Sequence, residues 1–390
     1  MSRTSALPIA VRAALHVRDR GSATVTEIAQ TLELSRTSVK NAMGTLSEIG
    51  LIADAPVASG RGAGRPARRF SFEARTGFVV GVDIGIASVR VVIADLAGRV
   101  IRHESFSGVA RSRDGADKLA VVIDDIRSTL TASAVPTSRV RAIGVSLPGI
   151  VDDAGRVTTS VVIPEWSGVD IGAQLSSAFG CPVSVDNGVR LAAVAEHHLG
   201  VAQLVDDMLY LSAGNRIAMG LILGGRPRRG IHNAAGDIGR LAFPGLVTET
   251  GQLTWRSGST AEDVFARARV GEEAAVDELA GFIDQLARGI ATLVLTVDPA
   301  MVVIGGGLSA AHEQFLDPLR QALTIHIGLP FSVPLVGARL GAEAASHGAL
   351  VLAFQRHAAQ IYRLDDVPVP PITPLPADVA AIAEPHKERT

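Results

Sequence analysis

The stretch from residue 208 to residue 240 constrains the fold more than any other part of the chain. It contains an apolar strand at 208–211, a polar turn, a second apolar strand at 219–223, and a Gly-rich loop that ends in Ala-Gly-Asp-Ile-Gly-Arg. Small residues between two strands allow backbone amides to approach a phosphate closely. The stretch therefore predicts a strand pair whose connecting loop contacts a ligand.

A similar order of elements occurs about 130 residues earlier in the chain. An apolar run at 78–85 ends in Asp-Ile-Gly, a second strand follows at 89–95, and residues 96–99 form a turn. Such internal similarity indicates two related α/β halves. Because ligands of open α/β sheets bind at the carboxyl ends of the strands, we expect the ligand at these strand ends.

Charge is distributed unevenly along the 390 residues, a length that suggests two or three domains. Residues 1–75 hold 11 Lys and Arg against 6 Asp and Glu, whereas the remainder holds 26 against 33. A basic head on an acidic body favours contact of the head with a polyanion. The chain has neither an apolar run of the ~20 residues that a membrane span requires nor a signal peptide, so we expect a cytoplasmic protein without a membrane partner.

The basic head has the pattern of a helix-turn-helix. Apolar spacing predicts a first helix at 7–18, Thr24 and Glu27 form a capping box before a second helix at 28–32, and Ser35 can cap a third helix. Two short helices joined by a tight turn, the second with polar residues at its start, are typical of DNA binding. The candidate major-groove residues are Arg36, Thr37, Ser38, Lys40 and Asn41.

Two strands are predicted after these helices, at 51–53 and 69–72, with a Gly- and Arg-rich segment between them. Its Gly64-Arg65-Pro66 is an extended basic element of the kind that lies in a minor groove. Taken separately, the basic helix face and the basic segment are as well explained as a solvated surface and a linker; in this order they favour a winged-helix DNA-binding domain. The candidate wing and phosphate contacts are Arg61, Arg65, Arg68 and Arg69.

The head, the two loop motifs and further segments at 145–152, 163–166, 182–196 and 302–308 resemble the ROK family of sugar kinases and sugar-responsive repressors. The resemblance covers residues 7–356. It implies an α/β fold, with an N-terminal winged helix-turn-helix plus a two-lobed actin-like/hexokinase-like (ROK) ATPase fold that holds its ligand between the lobes. We expect a DNA-binding domain at 1–75, an effector and oligomerisation domain at 76–362 with lobes at about 76–185 and 186–362, and a Pro-rich disordered tail at 363–390.

The two phosphate loops of the family are altered in this chain. The first, Asp-Ile-Gly-Gly-Thr in the family, continues here with Ile86 and Ala87 after its first Gly. A branched side chain at position 86 stands where bare backbone is needed. The second loop has Asn215 and Arg216 in place of Thr and Gly, and Arg216 could fill the volume of a phosphate or bind an anion.

The general base of the family is the Asp of an Asn-Asp-Ala-Asn motif. In the register that keeps Asn187, the base position is Gly188 and the last Asn is Arg190. Loss of a positioned base lowers a rate by about 10²–10⁴. A shift of one residue would instead leave Asp186 as the base. In the preferred register the chain has no catalytic residue, and we expect no enzymatic activity and no cofactor.

The zinc site of the family has lost its ligands as well. The family His corresponds to Arg240, and residues 247–262, where the family has a Cys cluster, contain no Cys. The one cysteine of the chain, Cys181, is expected in the core. We therefore expect no metal.

The sugar clamp of the family is partly altered, since its Glu and His correspond to Asp237 and Arg240. These two side chains either form an ion pair that closes the loop, or Arg240 favours a phosphorylated or acidic sugar. The cluster of Arg226, Arg228 and Arg229 is either a solvated turn or an anion site, and we expect the solvated turn. The predicted effector-binding residues are Pro148, Gly149, Asn187, Gly188, Asp237 and Arg240.

Together these features favour a DNA-binding transcriptional regulator, a repressor of carbohydrate-metabolism or transport genes. Its expected partners are a double-stranded DNA operator, a sugar or sugar-phosphate effector, and further copies of the chain in a homodimer or homotetramer. Two alternatives stay open: an ATP-dependent sugar kinase, and a ligand-independent regulator with a vestigial cleft.

Overall fold

The computed structural model of the protein describes residues 7–55, 68–112, 114–249, 251–308 and 313–375. It contains a small head and a body built on two five-stranded sheets. The head is formed by α1 (Ile9–Arg20), β1 (Ser22–Thr24), α2 (Val25–Thr31), α3 (Arg36–Glu48), β2 (Ile52–Asp54) and β3 (Arg69–Phe72). Its strands pair antiparallel in the order β1-β3-β2.

Local hydrogen bonds set the helices of the head, as the sequence predicts. The Thr24 hydroxyl accepts a hydrogen bond from the Glu27 amide, and the Glu27 carboxylate accepts one from the Thr24 amide, so the capping box is present. The Ser35 hydroxyl accepts from the Ser38 amide and begins α3. Buried Ile28, Val39, Met43 and Leu46 form the core between the helices. The strand β1 was missed, because three residues carry no usable pattern.

The first sheet of the body has the order β10-β7-β4-β5-β6. The strands β4, β5 and β6 are antiparallel neighbours, and β7 and β10 run parallel to β4. Two helices, α4 and α5, cover one face of the sheet. The bounds are β4 Phe78–Ile84, β5 Ser88–Asp95, β6 Val100–Ser107, α4 Gly115–Ala132, β7 Val140–Leu147, α5 Ile171–Phe179 and β10 Val183–Asn187, with a small hairpin of β8 (Ile150–Val151) and β9 (Val157–Thr159).

The second sheet, of order β13-β12-β11-β14-β15, repeats the plan of the first. An antiparallel pair, β11 and β12, stands beside the parallel strands β14 and β15. The two related α/β halves predicted from the sequence are therefore present. The bounds are α6 Gly188–His198, β11 Met208–Ala213, β12 Ile217–Leu223, β13 Arg226–Pro227, α7 Gly239–Ala242, α8 Ala261–Arg269, α9 Glu273–Val297, β14 Met301–Gly305, α10 Glu313–Ile327, β15 Leu335–Gly337, α11 Ala344–Arg356 and α12 Ala358–Tyr362.

Helices α6 and α11 lie between the two sheets and need glycines to pack so closely. A Cβ atom on Gly144 of β7 would lie 1.8 Å from the Ala349 carbonyl oxygen of α11. A Cβ atom on Gly220 of β12 would lie 2.8 Å from the Val189 carbonyl oxygen of α6. Both helices therefore press their backbones against a sheet, which places the start of α6 at the junction of the two halves.

One helix in the described part of the chain, α9, has the length and composition of a membrane span. Its apolar side, with Phe282, Leu286 and Ile290, is buried in the same cluster as Leu211 of β11 and Ile304 of β14. The helix thus packs against the second sheet of the protein, which accounts for its apolar composition.

Residues 363–375 are packed on the body, so the prediction of a disordered tail from residue 363 is wrong for them. The Thr373 amide donates to the Gly98 carbonyl oxygen at 2.9 Å, and the Val100 amide donates to the Thr373 carbonyl oxygen at 3.0 Å. Ile372 is buried. Proline lacks a backbone N–H group but is tolerated in a segment that pairs along the edge of a structure. The amino-acid composition of the segment does not reveal this pairing. Residues 376–390 lie outside the described residues.

The same C-terminal segment contacts the head. Leu364 and Val367 line a small apolar contact together with Tyr362 of α12. The Tyr362 hydroxyl donates a hydrogen bond to the Leu96 carbonyl oxygen at 2.8 Å, next to the turn between β5 and β6. The head residues at this contact are Ala14, Leu15, Arg18, Leu51 and Phe72.

Half-buried histidines make the stability of the body dependent on pH. Burial is the main cause that lowers the pKa of His103, His198 and His357 below the ordinary value. A group whose pKa is depressed by folding binds more protons when unfolded. Its contribution to the free energy of unfolding is complete above the unfolded pKa of about 6.5 and is lost as the pH falls through the folded value.

We therefore expect urea unfolding to give a lower free energy of unfolding at pH 5.5 than at pH 7.5. Replacement of half-buried His198 by Gln should reduce this difference, because one of the shifted groups is removed. The exposed His232, replaced by Gln, is the matched control and should leave the difference unchanged. A stability that is equal at both pH values in the original protein would contradict the assignment.

Candidate functional site

The first loop, between β4 and β5, is closed by protein atoms. The Val109 amide donates to the Gly85 carbonyl oxygen at 3.1 Å, and the Ala110 amide donates to the Ile86 carbonyl oxygen at 3.2 Å. The Gly85 amide itself donates across the turn to the Ser88 carbonyl oxygen. Ile86 stands half-exposed at the tip of this loop. The Gly85 amide is therefore already bonded, and a branched side chain stands next to it.

Asp83 lies at the end of β4, below this loop. Its carboxylate accepts a hydrogen bond from the Ser146 hydroxyl at 2.6 Å and lies 3.6 Å from the Arg90 guanidinium. Burial raises the pKa of Asp83, and the bonds from Ser146 and Arg90 act in the opposite direction. The Asp83 carboxylate is therefore already engaged by protein groups, Ser146 and Arg90.

The second loop, between β11 and β12, is also filled. The Gly214 amide donates to the Arg216 carbonyl oxygen at 3.2 Å, and the Leu253 amide donates to the Asn215 carbonyl oxygen at 2.9 Å. The Arg216 guanidinium lies beside Gly251, and burial lowers the pKa of Arg216. Because the loop amide is bonded internally and the 251–253 segment covers the loop, these residues do not fit a nucleotide phosphate.

Four of the predicted effector residues meet where β10 passes into α6. The Asn187 side chain donates to the Gly149 carbonyl oxygen at 2.9 Å and accepts from the amides of Val189 and Arg190, which caps α6. The Pro148 carbonyl oxygen is held by the Ser160 hydroxyl at 2.5 Å. Gly188 follows the cap directly. The structure therefore brings Pro148, Gly149, Asn187 and Gly188 together, and their role in effector binding stays a prediction.

A side chain at Gly188, the position of the family's general base, would displace the Ser146 hydroxyl. A Cβ atom there would lie 2.9 Å from the Ser146 hydroxyl oxygen and 3.9 Å from a carboxylate oxygen of Asp83. Asp186, the base in the shifted register, is buried and accepts hydrogen bonds from the Arg190 guanidinium and the Asn187 amide. Neither position therefore offers an uncommitted carboxylate.

A buried cluster of two arginines and one carboxylate was missed by the sequence analysis. The Arg190 guanidinium contacts Asp186 and donates to the Asn233 carbonyl oxygen at 2.9 Å. The Arg229 guanidinium lies 3.8 Å from Asp186. The expectation that Arg229 is part of a solvated turn is wrong, since its side chain is 14% exposed, whereas Arg226 and Arg228 are exposed. The one sequence signal for this cluster is the position of Arg190, four residues after Asp186 and directly before an apolar helical stretch.

Arg229 joins the two halves of the body. It belongs to the loop after β13, and its guanidinium donates to the carbonyl oxygens of Val151 at 3.0 Å and Asp152 at 3.3 Å, beside the β8–β9 hairpin of the other half. Asp153 lies 3.5 Å away, and its side chain is 85% exposed. The Asp186, Arg190 and Arg229 cluster, together with these carbonyls, is therefore an interlobe site.

Asp237 and Arg240 lie on the same loop as Asn233 but remain exposed. Within the part of the chain that the structure describes they form no ion pair with each other, so the predicted pair that closes the loop is absent. The loop is instead closed by its backbone. Cβ atoms on Gly236 and Gly239 would lie 2.0 and 2.2 Å from carbonyl oxygens of β12, so this loop lies flat against that strand.

The segment that carries zinc ligands in the family is held here by apolar packing. Trp255 lies against Phe282 of α9 with ring centroids 4.8 Å apart, and Leu253 is buried. The Glu278 carboxylate accepts from the amides of Arg256 and Ser257 at 2.7 Å each. Among the described residues no group of three His, Cys, Asp or Glu side chains is arranged for a metal ion. The donor set therefore does not fit zinc.

Four of the five candidate major-groove residues are exposed, and their contact with DNA stays a prediction. Arg36, Thr37, Lys40 and Asn41 are exposed on the first turns of α3. Ser38 is half-buried, and its hydroxyl is bonded to Ser35 at 2.8 Å as part of the helix cap.

The wing residues divide into two groups. Arg68 is exposed and forms a bidentate pair with Asp54. Arg69 donates to Ser22 and to Glu27 at 3.0 Å, which ties β3 to the capping box, so we assign it a structural role. Arg61 and Arg65 lie outside the described residues.

The contact at Gly188 gives a stability prediction. We expect Gly188→Ala to lower the free energy of unfolding by about 1–3 kcal/mol, because the added Cβ overlaps the Ser146 hydroxyl. The loss should shrink when Ser146 is also changed to Ala. Gly281→Ala in α9, where no atom lies within 4 Å of the new Cβ, is the control and should be neutral or stabilising. Equal effects of the two single changes in urea unfolding would refute the contact.

Comparison with known proteins covers most of the body. The ROK family profile matches residues 79–252 and 241–356. A xylose repressor from Caldicellulosiruptor bescii is 22% identical over an alignment of 331 positions, which covers 76% of this chain and 82% of the relative.

Two solved structures share the fold. A ROK family transcriptional regulator, described as a homologue of the E. coli MLC protein, superposes with a TM-score of 0.69 at 22% identity, over 91% of this chain and 97% of its own. A ROK hexokinase from Thermus thermophilus superposes with a TM-score of 0.60 at 27% identity, over 71% of this chain and 98% of its own. The chain belongs to the ROK family.

Proposed function

We propose that the protein is a transcriptional regulator that binds double-stranded DNA through its head and a sugar or sugar-phosphate between its lobes, without kinase activity. The observation that carries the proposal is the exposed start of α3, where Arg36, Thr37, Lys40 and Asn41 stand on a helix held by its own core and cap. The helix α3 is the second helix of the helix-turn-helix pattern, and polar and basic side chains at the N-terminal end of that helix fit the major groove. The similarity to xylose repressors supports a carbohydrate effector and a repressor role.

The attachment of the head supports a ligand-controlled function. Leu364 and Val367 contact the head, while Thr373 is bonded to the turn after β5 in the first half of the body. A movement of that half would therefore be passed to the head through packed residues. A ligand produces such a movement only if it binds one arrangement of the lobes more tightly than the other. In a dimer or tetramer, two heads bind two DNA half-sites about 34–36 Å apart. The movement would change the distance between the heads, so that it fits this spacing in one arrangement of the lobes and not in the other.

We expect the full-length protein to bind a mixed-sequence DNA duplex, with an affinity that falls steeply as salt increases. The double change Arg36→Ala, Lys40→Ala should weaken binding and reduce the slope of log K against log salt by about 2, because two phosphate or base contacts of charged groups are lost. Fluorescence anisotropy across a salt series measures both.

The matched control is Arg139→Ala, which removes an exposed arginine from the body. It should leave affinity and salt slope unchanged. If the original protein fails to bind duplex DNA at low salt, or if both variants bind like it, the head does not act as proposed.

The kinase alternative is favoured by the similarity to a hexokinase. Against it stand the internally bonded phosphate loops and the missing base, and loss of a base alone lowers a rate by about 10²–10⁴. We expect no sugar-dependent ADP release in a coupled assay with hexoses, pentoses and amino sugars. Added hexokinase confirms that the assay responds. Saturable ADP release with any one sugar would establish the alternative.

A further inference from the structure

We propose that the ligand of the cleft is an anionic carbohydrate, a phosphate monoester or a carboxylate, whose charged group is held between Arg190 and Arg229. This inference rests on the proposed function and specifies the chemistry of its effector. The residues concerned lie where β10 passes into α6, next to Asn187 and Gly188, and they come from both halves of the body.

Unused hydrogen-bond donors are the first argument. Arg190 is 3% exposed, and its Nε has no hydrogen-bond partner among the described residues. The Nε and Nη1 atoms of Arg229 are likewise buried without a hydrogen-bond partner there, because Asp186 and Asp153 lie too far away at 3.8 and 3.5 Å. Buried donors without acceptors are rare in proteins, and such a donor requires a partner, which is an ordered water, an ion or a ligand. Three such donors converge on this one cluster.

Charge is the second argument. Two guanidinium groups share a single buried carboxylate, Asp186, whereas Asp153 is largely exposed and its charge is screened by solvent. Burial lowers the pKa of Arg190, the charge of Asp186 offsets this, and the neighbouring charge of Arg229 lowers it further. The cluster therefore carries excess positive charge in a buried place, which an anion would neutralise.

The surroundings of Gly188 are the third argument. In kinases of the family an Asp at this position takes a proton from the sugar hydroxyl, and its negative charge would repel an anionic group. Here the position has no side chain. The other nearby carboxylate, Asp83, is bonded to Ser146, and burial raises its pKa. Arginine has hydrogen-bond donors but no acceptor, so it cannot accept a hydrogen bond from a sugar hydroxyl. Its planar guanidinium group matches the oxygens of phosphate and carboxylate groups.

The test measures binding to the full-length protein by isothermal titration calorimetry at constant ionic strength. The probes are glucose, glucose 6-phosphate, glucuronate and inorganic phosphate. We expect glucose 6-phosphate or glucuronate to bind at least about tenfold more tightly than glucose, with inorganic phosphate as a weaker competitor, because a charge-assisted pair strengthens binding by this amount or more. The order of the two anionic sugars distinguishes a phosphate from a carboxylate.

Variants locate the binding group. Arg229→Gln should weaken the anionic sugar by about 10–100-fold and leave glucose unchanged. The matched control is Arg228→Gln, which alters the adjacent, exposed arginine and should bind like the original protein. If Arg229→Gln unfolds, the affinity for the anionic sugar is measured in Arg190→Lys instead. This variant keeps the charge but loses the planar guanidinium group. A purely structural link between the lobes would lower thermal stability in Arg229→Gln without changing the preference for anions.

Three results would overturn the inference: glucose binding as tightly as the anionic sugars, unchanged anion affinity in both Arg229→Gln and Arg190→Lys, or no binding of any probe. DNA binding is measured on the same preparations. If DNA binding persists while anion binding fails, the inference is wrong and the regulator proposal stands. If DNA binding is absent, the regulator proposal fails whatever the outcome with the sugars.

Discussion

The turn from β10 into α6 is the interaction on which the rest of the body depends. Asn187 satisfies two amides at the start of α6 and reaches the Gly149 carbonyl oxygen after β7, so one side chain joins the end of the first sheet to the helix between the sheets. A cap of this kind stabilises a helix by about 1 kcal/mol, but its larger effect is geometric. It fixes where the next residues, Gly188 and Arg190, stand in the cleft.

In the loops and segments around this turn, polar groups are bonded within the chain. Both loops that would face phosphates have their amides or carbonyls bonded within the chain, and the segment that carries zinc ligands in the family is held by Trp255 and Glu278. These internal contacts hold the two loops and the segment in place. The arginine cluster, in contrast, keeps three buried donors without a hydrogen-bond partner among the described residues.

The features that could be predicted from the sequence are those set by local or periodic patterns. The capping box at Thr24 and the cap at Ser35 mark the helices of the head within a few residues, because they involve atoms three positions apart. The repeat of strand, loop and strand predicts two sheets. The grouping of Pro148, Gly149, Asn187 and Gly188 came from the resemblance to the family.

The features that were missed depend on residues far apart in the chain. Arg229 is buried because carbonyls about 77 positions earlier fold over it, and nothing near it in the sequence reveals this. Residues 363–375 have the composition of a tail, yet Ile372 is buried because a turn at Gly98 offers it an edge. Asp237 and Arg240 are near in sequence. The backbone around them lies flat against β12, however, and their side chains form no ion pair. In each case tertiary contact overrides the local pattern.

These long-range contacts also connect the parts of the molecule that matter for control. Arg229 links the second half to the β8–β9 hairpin of the first, and Thr373 links the first half to the segment that touches the head. A change at the arginine cluster would alter the contact between the halves, and the C-terminal segment is the packed path from the first half to α1. Coupling by such a path requires two discrete arrangements with different ligand affinities. Since Nη2 of Arg229 holds the carbonyl oxygens of the first half, an anion bound by its Nε and Nη1 would act on a side chain that already joins the two halves.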